Sequence, residues 1–142
     1  MGYTRHYKLF KELDKELFVK YSNECKYICE QITNEFGHGI AGAIGEGEPE
    51  FTETYIDFNG IIGLVDDLSH ENFYIDTTEQ PFNFCKTNRK PYDKHVCACL
   101  YLLKEYFGDI VEIKSDGGNK DEEVIGFIKS IKRDNKINTL LQ

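Results

Sequence analysis

Pro91-Tyr92-Asp93-Lys94-His95-Val96-Cys97-Ala98-Cys99-Leu100-Tyr101-Leu102-Leu103-Lys104-Glu105-Tyr106-Phe107-Gly108, followed closely by Ile110-Val111-Glu112-Ile113-Lys114-Ser115, decides the fold class. Val96, Cys99, Leu100, Leu103 and Phe107 recur at the spacing of one helix face, and Pro91, which lacks an N–H, suits a first helical turn. Gly108 supplies the stop, and the β-branched run after it reads as a short strand. A helix feeding straight into a strand calls for helices packed on a sheet.

Upstream, residues 52–59 alternate, with Thr54, Ile56 and Phe58 on one side, and residues 72–77 alternate around Phe73 and Ile75. Both segments predict strands. Leu9, Phe10, Leu13, Leu17, Tyr21, Cys25, Ile28, Cys29, Ile32 and Phe36 recur at helical spacing and predict a long N-terminal helix over 5–36, with Ser22-Asn23 as a point where it could divide and Gly37 as its end. Residues 37–50 form a glycine-rich loop, and Pro81 breaks the chain before residues 82–85. A last helix starts at Asn119, with Val124, Phe127, Ile128 and Ile131 on one face, and leaves a polar tail over 135–142 that frays. The expected architecture is a single α+β domain over 1–142, with its core at 51–134, a small mixed or antiparallel sheet packed by helices, and the order α-β-β-α-β-α.

The chain has 142 residues, a formal charge of −8 and 40% hydrophobic residues, enough for a packed core without metal or disulfide staples. The negative charge argues against a broad grip on duplex nucleic acid, which needs many lysine and arginine contacts, and allows an acidic face toward a basic protein. The apolar run at 96–103 is too short to cross a bilayer, and the N-terminus has no apolar signal segment, so a cytosolic protein with no membrane partner is expected. Cys25, Cys29, Cys97 and Cys99 fall on or beside apolar helix faces and read as buried thiols. Two of them four residues apart do not make a four-ligand zinc site.

Gly42, Gly45 and Gly47 follow a helix rather than a strand and lack the lysine of a phosphate loop, so they read as a flexible connection. The basic residues crowd at Lys86, Arg89 and Lys90, just before the helix. With Tyr92 as a stacking face and the free N–H groups of the first turn, they form a candidate phosphate clamp. His70 in the preceding long loop, and Ser115 and Asp116 at the end of the last strand, complete the candidate ligand surface. Asp93 complicates the clamp because its carboxylate can cap the same N–H groups. A second reading takes Asp66, Asp67, His70 and Glu71 as ligands or base of a metal-dependent phosphoester hydrolase, with Lys86 and Arg89 as charge clamps. No cofactor motif is present. A third reading uses the apolar loop at 61–65 (Ile61, Ile62, Leu64, Val65) as a homo-oligomer contact in a structural or assembly protein.

Ile56-Asp57-Phe58-Asn59-Gly60, Ser69-His70-Glu71-Asn72-Phe73, the 84–93 turn and Ile113-Lys114-Ser115-Asp116-Gly117 together resemble a family of short proteins encoded by tailed phages and prophages, over residues 54–117. No tryptophan stands near 119–123, where the family pattern has one. That family has no settled activity. The resemblance therefore implies an accessory role in the host cytosol, as a non-enzymatic binder of a phosphate-bearing small molecule or a host protein, and carries over no catalytic residue.

Overall fold

The computed structural model describes residues 3–115 and 120–141, with side chains of the last helix described for 121–135. The fold is α+β. Among the described residues the order is β1 (Thr4–Leu9), α1 (Lys15–Phe36), β2 (Glu50–Phe51), β3 (Tyr55–Phe58), β4 (Phe73–Asp76), β5 (Gln80–Lys86), α2 (Asp93–Phe107), β6 (Val111–Ser115) and α3 (Lys120–Leu141). Two antiparallel sheets result, β5-β1-β6 and β2-β3-β4.

The N-terminal helix over 5–36 is corrected by β1, the central strand of its sheet. Thr4, His6 and Lys8 are half-buried while Arg5, Tyr7 and Leu9 are buried, the period of two that a strand requires. That alternation is hidden in sequence because an arginine occupies an inward position, and because Leu9 and Leu13 also fit the helical stripe that follows. Asp14 sets the true start of α1: its carboxylate accepts from the Leu17 N–H at 2.8 Å, satisfying one of the free donors of the first turn. Ser22 is buried within one continuous helix, so no division occurs at 22–23. Gly37 ends α1 at φ +86°, a left-handed conformation that favours glycine, and returns its N–H to the Thr33 carbonyl at 2.9 Å.

β3 and β4 lie where alternation predicts them, with Ile56, Phe58, Phe73 and Ile75 fully buried. β5 was missed because Pro81 reads as a breaker. It is tolerated since β5 is an edge strand, and the register against β1 shifts beside it, between Tyr7 and Leu9. α3 continues to Leu141, where a fraying polar tail is expected from sequence. The proposed Asn119 cap lies outside the described residues.

The two sheets and the helices share one apolar core. Tyr7 joins the sheets: its ring lies 5.5 Å from Phe73 and its hydroxyl donates to the Tyr74 carbonyl at 2.8 Å. Tyr21 of α1 donates to the Cys99 carbonyl of α2 at 2.7 Å. Each fully buried Phe or Ile in this core contributes about 2 kcal/mol of transfer free energy. All five cysteines are buried free thiols, and the Cys29 and Cys99 sulfurs approach to 3.8 Å between α1 and α2.

Candidate functional site

The basic turn takes its shape from Asn88 and Arg89, both left-handed at φ 52° and 58°, closed by the Lys90 N–H on the Thr87 carbonyl at 3.0 Å. Its cations diverge. Lys86 is exposed, its ammonium 5.9 Å from the Phe84 ring; the Arg89 guanidinium lies 5.2 Å from the Tyr3 ring; and Lys90 donates to the Asp67 carbonyl at 2.8 Å. Tyr92 is buried and donates to the Glu71 carbonyl at 2.5 Å, so it offers no stacking face, and burial raises its hydroxyl above the ordinary tyrosine range. The first N–H groups are also engaged: Asp93 bonds to the Lys90 carbonyl at 2.9 Å, Lys94 to Pro91 at 3.3 Å and His95 to Tyr92 at 3.0 Å. The expected phosphate clamp therefore does not converge, because the short turn satisfies its own backbone and splays its side chains.

The loop before β4 serves structure in the same way. Asn59 binds the backbone N–H and carbonyl of His70 at 3.0 and 2.8 Å, which leaves the imidazole on the surface. Asp67 accepts from the Ser69 hydroxyl at 2.5 Å and its N–H at 2.9 Å, bonds that lower its carboxyl below the ordinary range. Glu71 accepts from the Lys86 N–H at 3.0 Å, and Asp66 is exposed at the loop tip. Among the described residues no three His, Cys, Asp or Glu side chains gather as a metal site. The Asp66, Asp67, His70 and Glu71 set thus stays dispersed, since turn-forming bonds hold its members apart.

A cleft of about 450 Å³ between α1 and the following loop is lined by Lys26, Glu30, Thr33, Glu48 and Phe51, among others. Neither it nor the smaller cleft at Phe10 and Lys104 includes His70, Arg89 or Ser115. Asp116 lies outside the described residues. Ser115 belongs to a cluster that sequence reasoning missed.

That cluster centres on Arg5, which is only 3% exposed. Its guanidinium clasps Asp93 at 2.7 and 2.8 Å and Asp121 at 2.7 and 3.2 Å, while Thr87 donates to Asp93 at 2.7 Å and Ser115 to Asp121 at 3.3 Å. Burial works against the Arg5 charge, and the two aspartates outweigh it, holding arginine further above its ordinary range. Burial likewise works to raise Asp121, and its bond to Arg5 wins, keeping that carboxyl low. Asp93 opens α2 and Asp121 sits in the first turn of α3, where helix dipoles favour carboxylates. One arginine thus ties β1 to the starts of two helices. The chemistry is that of a fold-fixing ion cluster, in which Arg5, Thr87, Asp93, Ser115 and Asp121 bond to one another.

Among the described residues, two surfaces bring several exposed large apolar side chains together. One is the tip of the loop at 60–68, a hairpin pinned by the Ile62–Asp67 bridge and by the Gly63 N–H on the Asp66 carbonyl at 2.9 Å. Ile62 donates its N–H to the Gly45 carbonyl at 2.9 Å and its side chain packs where a Cβ on Gly45 would lie, so the flank is anchored. Leu64 and Val65 project from the tip fully exposed. The other is the outer face of β5-β1-β6, with Phe82 and Phe84 exposed. Among the described residues no helix is long and apolar enough to cross a membrane. Comparison with protein-family models, with curated proteins and with solved structures finds no match.

Proposed function

We propose that this chain is a non-enzymatic binding protein, of the phage-accessory kind its sequence resembles, that acts in the host cytosol by seating its hairpin tip in a basic host protein. The observation that carries this is the full exposure of Leu64 and Val65 on a tip whose backbone is pinned on both sides. Two adjacent apolar side chains held in water contribute nothing to the fold, and a rigid knob loses little entropy on docking. Asp66 and Asp67 are exposed beside it, which favours a partner whose apolar notch is ringed by lysine or arginine. The same charges disfavour self-association, because a twofold contact sets like charges against each other, and they disfavour an anionic lipid surface. A phosphate-bearing ligand at the basic turn and a metal-dependent phosphoesterase both lose support from the dispersal of their residues.

Leu64→Asp with Val65→Asp is expected to leave the melting temperature unchanged and to weaken affinity for the partner about 100-fold, the transfer free energy of one or two apolar side chains. The measurement is capture of a partner from host cytosol, followed by calorimetric titration of the purified pair with wild type and the double variant. Equal affinity of the two proteins defeats the proposal. A concentration-dependent mass of the wild type, lost in the variant, replaces it with self-assembly.

A further inference from the structure

On one face of β5-β1-β6, Arg5, Tyr7, Leu9, Cys85 and Val111 are buried; on the other, among the described residues, Phe82, Phe84, Lys86 and Lys114 are exposed and Thr4, His6 and Lys8 half-buried. Strand register fixes what that face displays. His6 stands between Phe84 on one neighbour and Lys114 on the other, Thr4 stands opposite Lys86, and Lys8 opposite Glu112. The Phe82 and Phe84 ring centres are 5.7 Å apart, each 6.3 Å from His6, and the two phenylalanines are 65% and 40% exposed. Three rings thus form one patch flanked by Lys8, Lys86 and Lys114. Among the described residues of these strands, Glu112 is the acid on the face, paired with Lys114 at 3.4 Å.

We infer that this open sheet face is a platform for single-stranded nucleic acid, with bases stacking on Phe82 and Phe84 and phosphates meeting Lys8, Lys86 and Lys114. An unpaired base offers a π-face to any exposed aromatic ring, and the strand supplies phosphates within reach of amines beside that ring. The tilts between the rings, 59° for the phenylalanine pair and 45–48° for His6, suit one base per ring rather than a continuous stack. Duplex is a poor occupant: its bases hide their faces, and the acidic remainder of the chain opposes wrapping. Local charge still decides the encounter, since at physiological salt charges beyond about 8 Å are screened. The face is distinct from the hairpin tip and stands independently of it.

The test is fluorescence anisotropy with short labelled DNA and RNA homopolymers and a duplex of equal length, from about 50 to 200 mM salt. Wild type is expected to bind single strands in preference to duplex, with a log–log salt slope of about −2 for three lysines. Phe84→Ala is expected to weaken binding roughly tenfold, and Lys86→Gln to reduce the slope by about 0.7, each with an unchanged melting curve. If Phe84→Ala proves unstable, Phe82→Ala and Lys114→Gln serve in its place. The tip variant Leu64→Asp is expected to bind strands as wild type does, which separates this inference from the preceding proposal. Failure of every homopolymer to bind at low salt, equal binding by Phe82→Ala and Phe84→Ala, or equal affinity for duplex overturns it. So does a self-associated form, dispersed by these substitutions, that binds no strand.

Discussion

Arg5→Met is expected to lower folding stability by about 3 kcal/mol, the low end of the cost of breaking a buried ion pair by removing one partner. The low end applies because Asp93 and Asp121 keep 19% and 22% of their side-chain surface in water, which softens the penalty of leaving them unpaired. Methionine matches much of the aliphatic length of arginine, so the loss reports charge rather than a cavity. Urea unfolding followed by circular dichroism measures it. The companion variant with Arg5→Met, Asp93→Leu and Asp121→Leu is expected to recover most of the stability, since a buried ion cluster and well-packed apolar groups are often close in energy. A loss below about 1 kcal/mol in the single variant would show that the cluster is incidental to the fold.

Acid is expected to destabilise the protein in a window set by His95. This imidazole is buried between α1 and α2, its Nε2 3.1 Å from the Thr33 hydroxyl and its Nδ1 without a hydrogen-bond partner. Burial, assisted by the Lys94 and His38 charges, pushes it down to about 4 from an ordinary 6.5, against a smaller opposing effect of the Tyr92 backbone. The unfolded chain therefore takes up the proton first as pH falls. Stability is complete above 6.5, declines between 6.5 and 4, and loses about 3 kcal/mol by the lower limit. Asp121, whose folded carboxyl is held low by Arg5, adds a separate loss that sets in only below its unfolded value near 3.8. Thermal melts from pH 7 to pH 3 on wild type and His95→Gln separate the two. Glutamine is expected to flatten the decline above pH 4 and leave the lower one intact, whereas parallel curves would remove His95 as the cause.

Much of the fold was legible because local periodicity is a property of near neighbours. Ile56, Phe58, Phe73 and Ile75 alternate in sequence and are all buried in strands, and of the stripe expected for α2 Val96, Cys99, Leu100 and Leu103 are buried and Phe107 half-buried, with His95, Cys97, Ala98 and Leu102 buried as well. Cys25, Cys29, Cys97 and Cys99 are the buried thiols that their helix faces imply. β1 escaped because its inward Arg5 breaks the apolar alternation, and an arginine is buried there only because two carboxylates reach it from elsewhere. β5 escaped because Pro81 is excluded from a strand unless that strand lies at an edge, and edges are not written locally.

By itself the sequence determined the α+β class, the three helical segments, the two alternating strands and the buried core cysteines. Tertiary structure alone decided the candidate sites. Arg5 meets Asp93 and Asp121 across 88 and 116 residues of chain, and that pairing turns the carboxylate at the head of α2 inward. Tyr92 looks like a stacking residue in a basic turn until the Glu71 carbonyl claims its hydroxyl. Phe82, Phe84 and His6 become one surface only when β5 pairs with β1, because strand register, not sequence distance, sets which side chains stand together on a sheet.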